Sequence, residues 1–184
     1  MASLVTLRTG IGPLDAFARL VDRLTALLSA LGTGLILAVM LLIAADVTGR
    51  FFFGRPIAGV PEMVAMSILA IVFLQIANTT AQGKLTRSDA MLGALRLRAP
   101  RLAEGFDALL HLAGAALLAM LVSAFWPQFQ RSYGRGEMVG SVGQFLAPIW
   151  PVHGIVVLGA SLMVLVFALR ALALAIRAIR GIPA

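Results

Sequence analysis

Few side chains in this 184-residue sequence can do chemistry, and the missing types narrow the choice. There is no cysteine, hence no thiol nucleophile, thiolate metal site or disulfide framework. The two histidines, His111 and His153, are the residues that would ligate a haem iron in a membrane. His111 lies four residues past Asp107 and His153 lies 17 residues before Arg170. If each sits on its own membrane helix, their depths differ by roughly 20 Å at ~1.5 Å per residue. One iron cannot take both as axial ligands, so each reads as an interfacial or helix-packing residue. No haem-attachment, zinc-protease, nucleophile-elbow or phosphate-loop motif is present.

A second group is polar but uncharged. Gln75, Asn78 and Thr79, followed by Thr80, lie inside an apolar run, and the spacings of three and four put the first three on one helix face. They suit either a solute path or an interhelical hydrogen-bond seam. The seam is favoured, because sodium sites in transporters use broken helices with freed carbonyls and no mid-run Pro-Gly break supplies them. No apolar run carries Asp, Glu, Lys or Arg near its midpoint. That speaks against a proton relay or a small exporter with a central carboxylate.

The charged residues gather between the runs. In "DVTGRFFFGRPIAGVPE", residues 46–62, Asp46 and Arg50 are four apart and can pair on a helix face. Arg50 suits a helix C-terminus, and Glu62 an N-terminus opened by Pro61. These three are candidates for helix-end or subunit-interface roles. Arg55 is left over, with Arg131, Arg135 and Glu137 of "QRSYGRGEM". Those four could form a polar rim for an external partner.

The elements that would position these groups follow from composition. The chain is 60% hydrophobic and 12% charged, against about half and a quarter in soluble domains. Charge-free windows run over 24–45, 63–83, 108–130 and 138–169, the last divided by Pro148 and Pro151. A span needs roughly 20 apolar residues. The expectation is an all-α integral membrane domain covering 1–184, a compact unit of four spans near 25–48, 62–83, 107–130 and 150–172.

Leu14, Phe17, Leu20, Val21 and Leu24 at helical spacing make 12–24 an amphipathic segment able to lie in the headgroup region before a retained signal anchor. Residues 84–106 form a basic connection. With four spans, eleven of the fifteen Lys and Arg fall on the side of the two termini. The positive-inside rule then places both termini in the cytoplasm and residues 46–62 outside. Membrane orientation accounts for the net charge of +7 without nucleic acid.

With this layout in hand, the chain resembles the DctQ-type small permease, the small membrane subunit of tripartite ATP-independent periplasmic (TRAP) transporters. Val47, Arg50, Phe51, Ile57 and Glu62 follow the family's first outer connection, with Gly59 where a Trp is usual. Gly83 and Asp89 follow a pattern after the second span that normally also holds a His. Pro100 and "PIWPVHG" match the inner connection and the entry to the last span.

The resemblance implies a bacterial inner-membrane protein without catalysis or cofactor. Its partners would be a large multi-span subunit (DctM-type), which carries organic anions with Na+, and a periplasmic solute-binding protein (DctP-type). The small subunit would brace the large one and help dock the binding protein through Arg55, Arg131, Arg135 and Glu137. Its inner amphipathic segments, the second over 88–98, would meet anionic lipids. Two other classes fit the layout less well: a cytochrome b-type redox anchor and an autonomous small channel or exporter.

Overall fold

The computed structural model describes residues 12–84, 100–141 and 145–180. Four helices dominate: α1 (Gly12–Phe53), α2 (Val60–Ala81), α3 (Pro100–Arg135) and α4 (Trp150–Arg180). Each holds an apolar stretch long enough to cross a bilayer. Between α3 and α4, β1 (Met138–Ser141) and β2 (Phe145–Pro148) pair antiparallel, Met138 opposite Pro148. The all-α membrane fold thus carries one small hairpin, inside the apolar window 138–169 that hydropathy alone cannot subdivide. Pro151 is the second residue of α4, where a missing N–H costs nothing.

The helices outrun the expected spans. α1 is continuous for 42 residues, about 63 Å at 1.5 Å per residue, so the amphipathic stretch 12–24 is the opening of the same helix. Packing explains the continuity. Ala18, Val21 and Thr25 share a buried face, and Ala18 and Val21 join Ala81 of α2 and Val166 and Leu169 of α4 in one apolar cluster. Phe17, Leu20 and Leu24 stay exposed. Of the connection 84–106, residues 85–99, including the segment 88–98 and Asp89, lie outside the described residues; 100–106 begin α3.

The helices are not arranged as the compact bundle expected above. α3 packs on α4, α4 on α2 and α2 on α1, while α1 barely touches α4. The result is a row in the order α1–α2–α4–α3. Half of the apolar window of α4 is buried, against 6% of that of α1. Small residues set these contacts by letting backbones approach. Gly159 of α4 lies against the backbone of Phe73 of α2. Gly114 of α3 receives the ring of Phe167, and Gly32 of α1 faces Leu74 and Gln75. By contrast, Ala30, Thr33 and Gly34 of α1 are exposed, with nothing within 4 Å of the Gly34 Cβ position. Among the described residues, that small face is uncovered.

Candidate functional site

At the hairpin end, Asp46 organises the connection between α1 and α2. It is 5% exposed. Its Oδ2 accepts from Arg50 Nε at 3.0 Å and Nη2 at 2.6 Å, and its Oδ1 accepts from the Ile57 N–H at 2.8 Å. One carboxylate thereby ties the last turns of α1 to the chain eleven residues on. Glu62 stands in the first turn of α2, behind Pro61. Gly59 precedes that helix with φ +80°, and any Cβ there would collide with the Phe145 ring of β2. Only glycine satisfies both demands, and through it the hairpin lies on the first connection. Asp46→Asn keeps the Oδ1 acceptor but turns an amide N–H2 toward the guanidinium. The expected outcome is faster hydrogen exchange at residues 54–59 with the helix row intact; unchanged exchange would remove this role for Asp46.

The other connection is pinned by a hydrogen-bond chain. Gly136, at φ +60°, reverses the backbone after α3. Glu137 then donates its N–H to Ser132 C=O and accepts from the Ile149 N–H, both at 3.1 Å. Ser132 is fully buried. Its Oγ lies 2.7 Å from His153 Nδ1, 3.1 Å from Glu137 Oε2 and 2.8 Å from Gln128 C=O. A serine beside a histidine suggests a nucleophile, but a nucleophile must meet substrate, and this hydroxyl meets no solvent. The pair is structural.

The four rim residues come from two different connections. Arg55 follows α1, whereas Arg131, Arg135 and Glu137 close α3; all four are exposed. α1 and α3 are the two ends of the row, and the hairpin that follows α3 reaches the first connection where Phe145 lies against Gly59. Arg131 Nε donates to Pro127 C=O at 3.3 Å.

An aromatic ladder flanks the α3 side: Trp126–Phe129, Phe129–Tyr133 and Tyr133–Trp150, with centroids 5.9, 6.3 and 5.6 Å apart. It contains both tryptophans and the single tyrosine of the chain. Such residues favour a membrane–water interface, and their confinement to 126–150 was a signal available in the sequence. Phe51, Phe52 and Phe53 are more than 70% exposed at the other end of the row.

The polar residues of α2 bond mainly along their own helix. Thr79 Oγ1 donates to Gln75 C=O at 3.1 Å, Thr80 Oγ1 to Ile76 C=O at 2.9 Å, and Gln82 Nε2 to Asn78 Oδ1 at 3.2 Å. Gln75 packs over α1, at Gly32. Nearer the hairpin end, Leu35, Val39, Leu42, Met63, Met66 and Val152 line a cavity of about 350 Å³ between α1, α2 and α4, with Ser67 its one polar side chain. Nothing charged there could pair with an anion.

The opposite end holds a buried polar group that the sequence reading missed. Glu104, Asp107, His111 and Arg170 are each no more than 6% exposed. Arg170, counted above as a membrane-orienting charge, instead donates Nη2 to Ala81 C=O at 3.2 Å and joins α4 to the end of α2. His111 Nδ1 lies 2.8 Å from Asp107 C=O. The two histidines are far apart: His111 stacks near Phe167 and His153 near Phe125. The 14 residues of α4 between Phe167 and His153 correspond to about 21 Å. They cannot share a haem.

No curated protein and no solved structure matches the chain. A family model does: the one described as "Tripartite ATP-independent periplasmic transporters, DctQ component" matches residues 39–178. That region takes in all of α2, α3 and the hairpin, the last turns of α1 and most of α4. Four span-capable helices around a cavity without charge are thus found in a chain that belongs to the DctQ family, the small multi-pass membrane component of a TRAP transporter.

Proposed function

We propose that this chain is a non-catalytic scaffold in a Na+-coupled, binding-protein-dependent transporter of organic anions such as carboxylates or sulfonates. It braces the large DctM-type subunit in the inner membrane, with both termini cytoplasmic and the hairpin end in the periplasm. The observation that carries this reading is the open row of helices. Three of the four helices bury little of their apolar windows, α1 least of all, and only α4 is half covered. A row of this kind enlarges a membrane footprint and offers broad faces to lipid and to a second membrane protein. The cavity between α1, α2 and α4 holds no charged side chain for cargo among the described residues.

The test is reconstitution. The chain is expected to copurify with the large subunit and, alone in proteoliposomes, to move no anion. Uptake by vesicles holding only this polypeptide would overturn the scaffold reading.

The rim at the hairpin end would meet the DctP-type binding protein. Exposed rim charges act mainly on association rate and its salt dependence. Arg131→Glu, Arg135→Glu and Arg55→Glu should therefore slow binding-protein association, most at low ionic strength, with subunit assembly unchanged. Because Arg55 belongs to the other connection, its reversal should add to theirs rather than overlap. Binding indifferent to all three reversals would exclude the rim. The basic residues at the opposite end would meet anionic cytoplasmic lipids, at about 1 kcal/mol for each Lys or Arg near the surface.

A further inference from the structure

The apolar cavity and the ion pair at the end of α1 lie along one stripe of that helix. Leu35, Val39 and Leu42 line the cavity of about 350 Å³. Asp46 and Arg50 line a recess at the helix end, with Val47 and Phe51. Steps of four, three, four and four residues from Leu35 to Arg50 keep cavity and recess on one helix face. Ala38 is exposed and Leu35, Val39 and Leu42 are half-buried, so the cavity is a groove along α1 rather than a sealed core. Apart from Ser67 its walls are apolar. Apolar cavities exclude water and accept apolar guests.

The recess offers donors for an oxyanion. Of the five N–H groups of the Arg50 guanidinium, Asp46 takes two, and the other three meet no acceptor among the described residues. The side chain is 56% exposed. The Asp46 carboxylate is occupied by Arg50 and by the Ile57 N–H, and it holds the guanidinium in place with a free edge outward. Arg55, also exposed, is kept beside this last turn by its N–H bond to Gly49 C=O at 3.2 Å. A planar fork of donors matches a phosphate group.

Depth separates the two parts as the parts of a lipid are separated. The charge-free run of α1 ends at Ala45. Arg50 stands about 7 Å beyond it at 1.5 Å per residue, within a headgroup layer of roughly 5–8 Å per leaflet. Leu42 and Leu35 stand roughly 5 and 15 Å on the other side, at the depth of acyl chains. The geometry points to a phospholipid site at the hairpin end: one acyl chain lies in the groove between α1, α2 and α4, and the phosphodiester sits on the free edge of Arg50. A phospholipid brings the apolar chain and the anion together at this separation.

The test is native mass spectrometry of the full-length chain in detergent with phosphatidylglycerol, diacylglycerol of the same chains, and glycerol phosphate as probes. Phosphatidylglycerol should be retained at least about tenfold over either of the others, a factor that one charge-assisted contact can supply. Arg50→Gln should bring phosphatidylglycerol down to the level of diacylglycerol. Arg50→Lys keeps the charge without the fork and should recover part of the difference. Ala38→Phe narrows the groove at an exposed position, away from the ion pair, and should weaken both lipids alike. Equal retention of phosphatidylglycerol and diacylglycerol overturns the site. So does glycerol phosphate held as tightly as the lipid, or a phosphatidylglycerol signal that Ala38→Phe leaves intact. Loss of the lipid on assembly with the large subunit also overturns it, since a protein would then cover the groove. The site belongs to this chain alone, so failure to copurify with the large subunit would sink the scaffold reading and leave the lipid site standing.

Discussion

Gly159→Leu should abolish the folded helix row. A Cβ at this position would stand 2.9 Å from the carbonyl carbon of Phe73 and 3.0 Å from its Cβ, with the carbonyl oxygen closer still. The obstruction is backbone, which cannot rotate away as the end of a side chain can. Even Gly159→Ala therefore requires α2 and α4 to separate. Overpacking typically costs ~1–3 kcal/mol, occasionally more, and here it falls on the central helix, through which α3 connects to the rest of the row.

The measurement is thermal unfolding of the full-length chain in one detergent, alongside size-exclusion profiles. The alanine variant should melt clearly lower and the leucine variant should be recovered as aggregate. Gly34→Ala is the control. With nothing within 4 Å of its Cβ position, it should be neutral or stabilising by up to about 1 kcal/mol, the usual helix-interior gain of alanine over glycine. Equal melting of Gly159→Ala and the parent would mean that α2 and α4 do not cross at this point.

Arg170→Ala is the second large effect. A buried guanidinium donating to Ala81 C=O sits where α2 has run out of intrahelical donors for its last carbonyls. Hydrogen bonds from charged groups contribute about 1.5–3 kcal/mol, and truncation also removes the packed alkyl stem. Arg170→Met separates the two terms, since it keeps the stem and loses the charge. Arg170→Lys supplies one ammonium in place of a planar fork and should recover part of the loss. Hydrogen exchange at the last turn of α2, residues 78–82, should rise in the order Lys, Met, Ala, with residues 60–66 unaffected. A uniform rise along the whole of α2, or none, would show that Arg170 does not fasten this end.

Both predictions concern residues whose type alone misleads. Arg170 reads in the sequence as one more basic residue beside the last span, and Gly159 as one of eighteen glycines in a chain rich in small residues. The pair Ala30 and Gly34 has the better packing spacing on paper, yet it faces outward. A small residue matters where another backbone arrives, and its own sequence neighbours do not say where that is.

What the sequence determined by itself was everything set by solvent and by local spacing. Runs of some 20 uncharged residues must be spans, because only a helix satisfies its backbone polar groups in lipid. Asp46 and Arg50 meet because residues four apart share a helix face. Pro61 and Glu62 suit the start of α2 through the same local rules. Motif order along the chain also pointed to the family that the match over 39–178 supports.

Tertiary structure alone decided the row in place of a compact bundle, the hairpin within an apolar window, the burial of Arg170, and the meeting of Ser132, Glu137 and His153. Each depends on contacts between segments that hydropathy treats as alike. To a bilayer, one apolar helix face is as good as another. Which faces meet is settled by shape, by where a glycine admits a backbone and where a buried hydroxyl finds a partner, and periodicity along one strand of sequence carries no record of the other side of that contact.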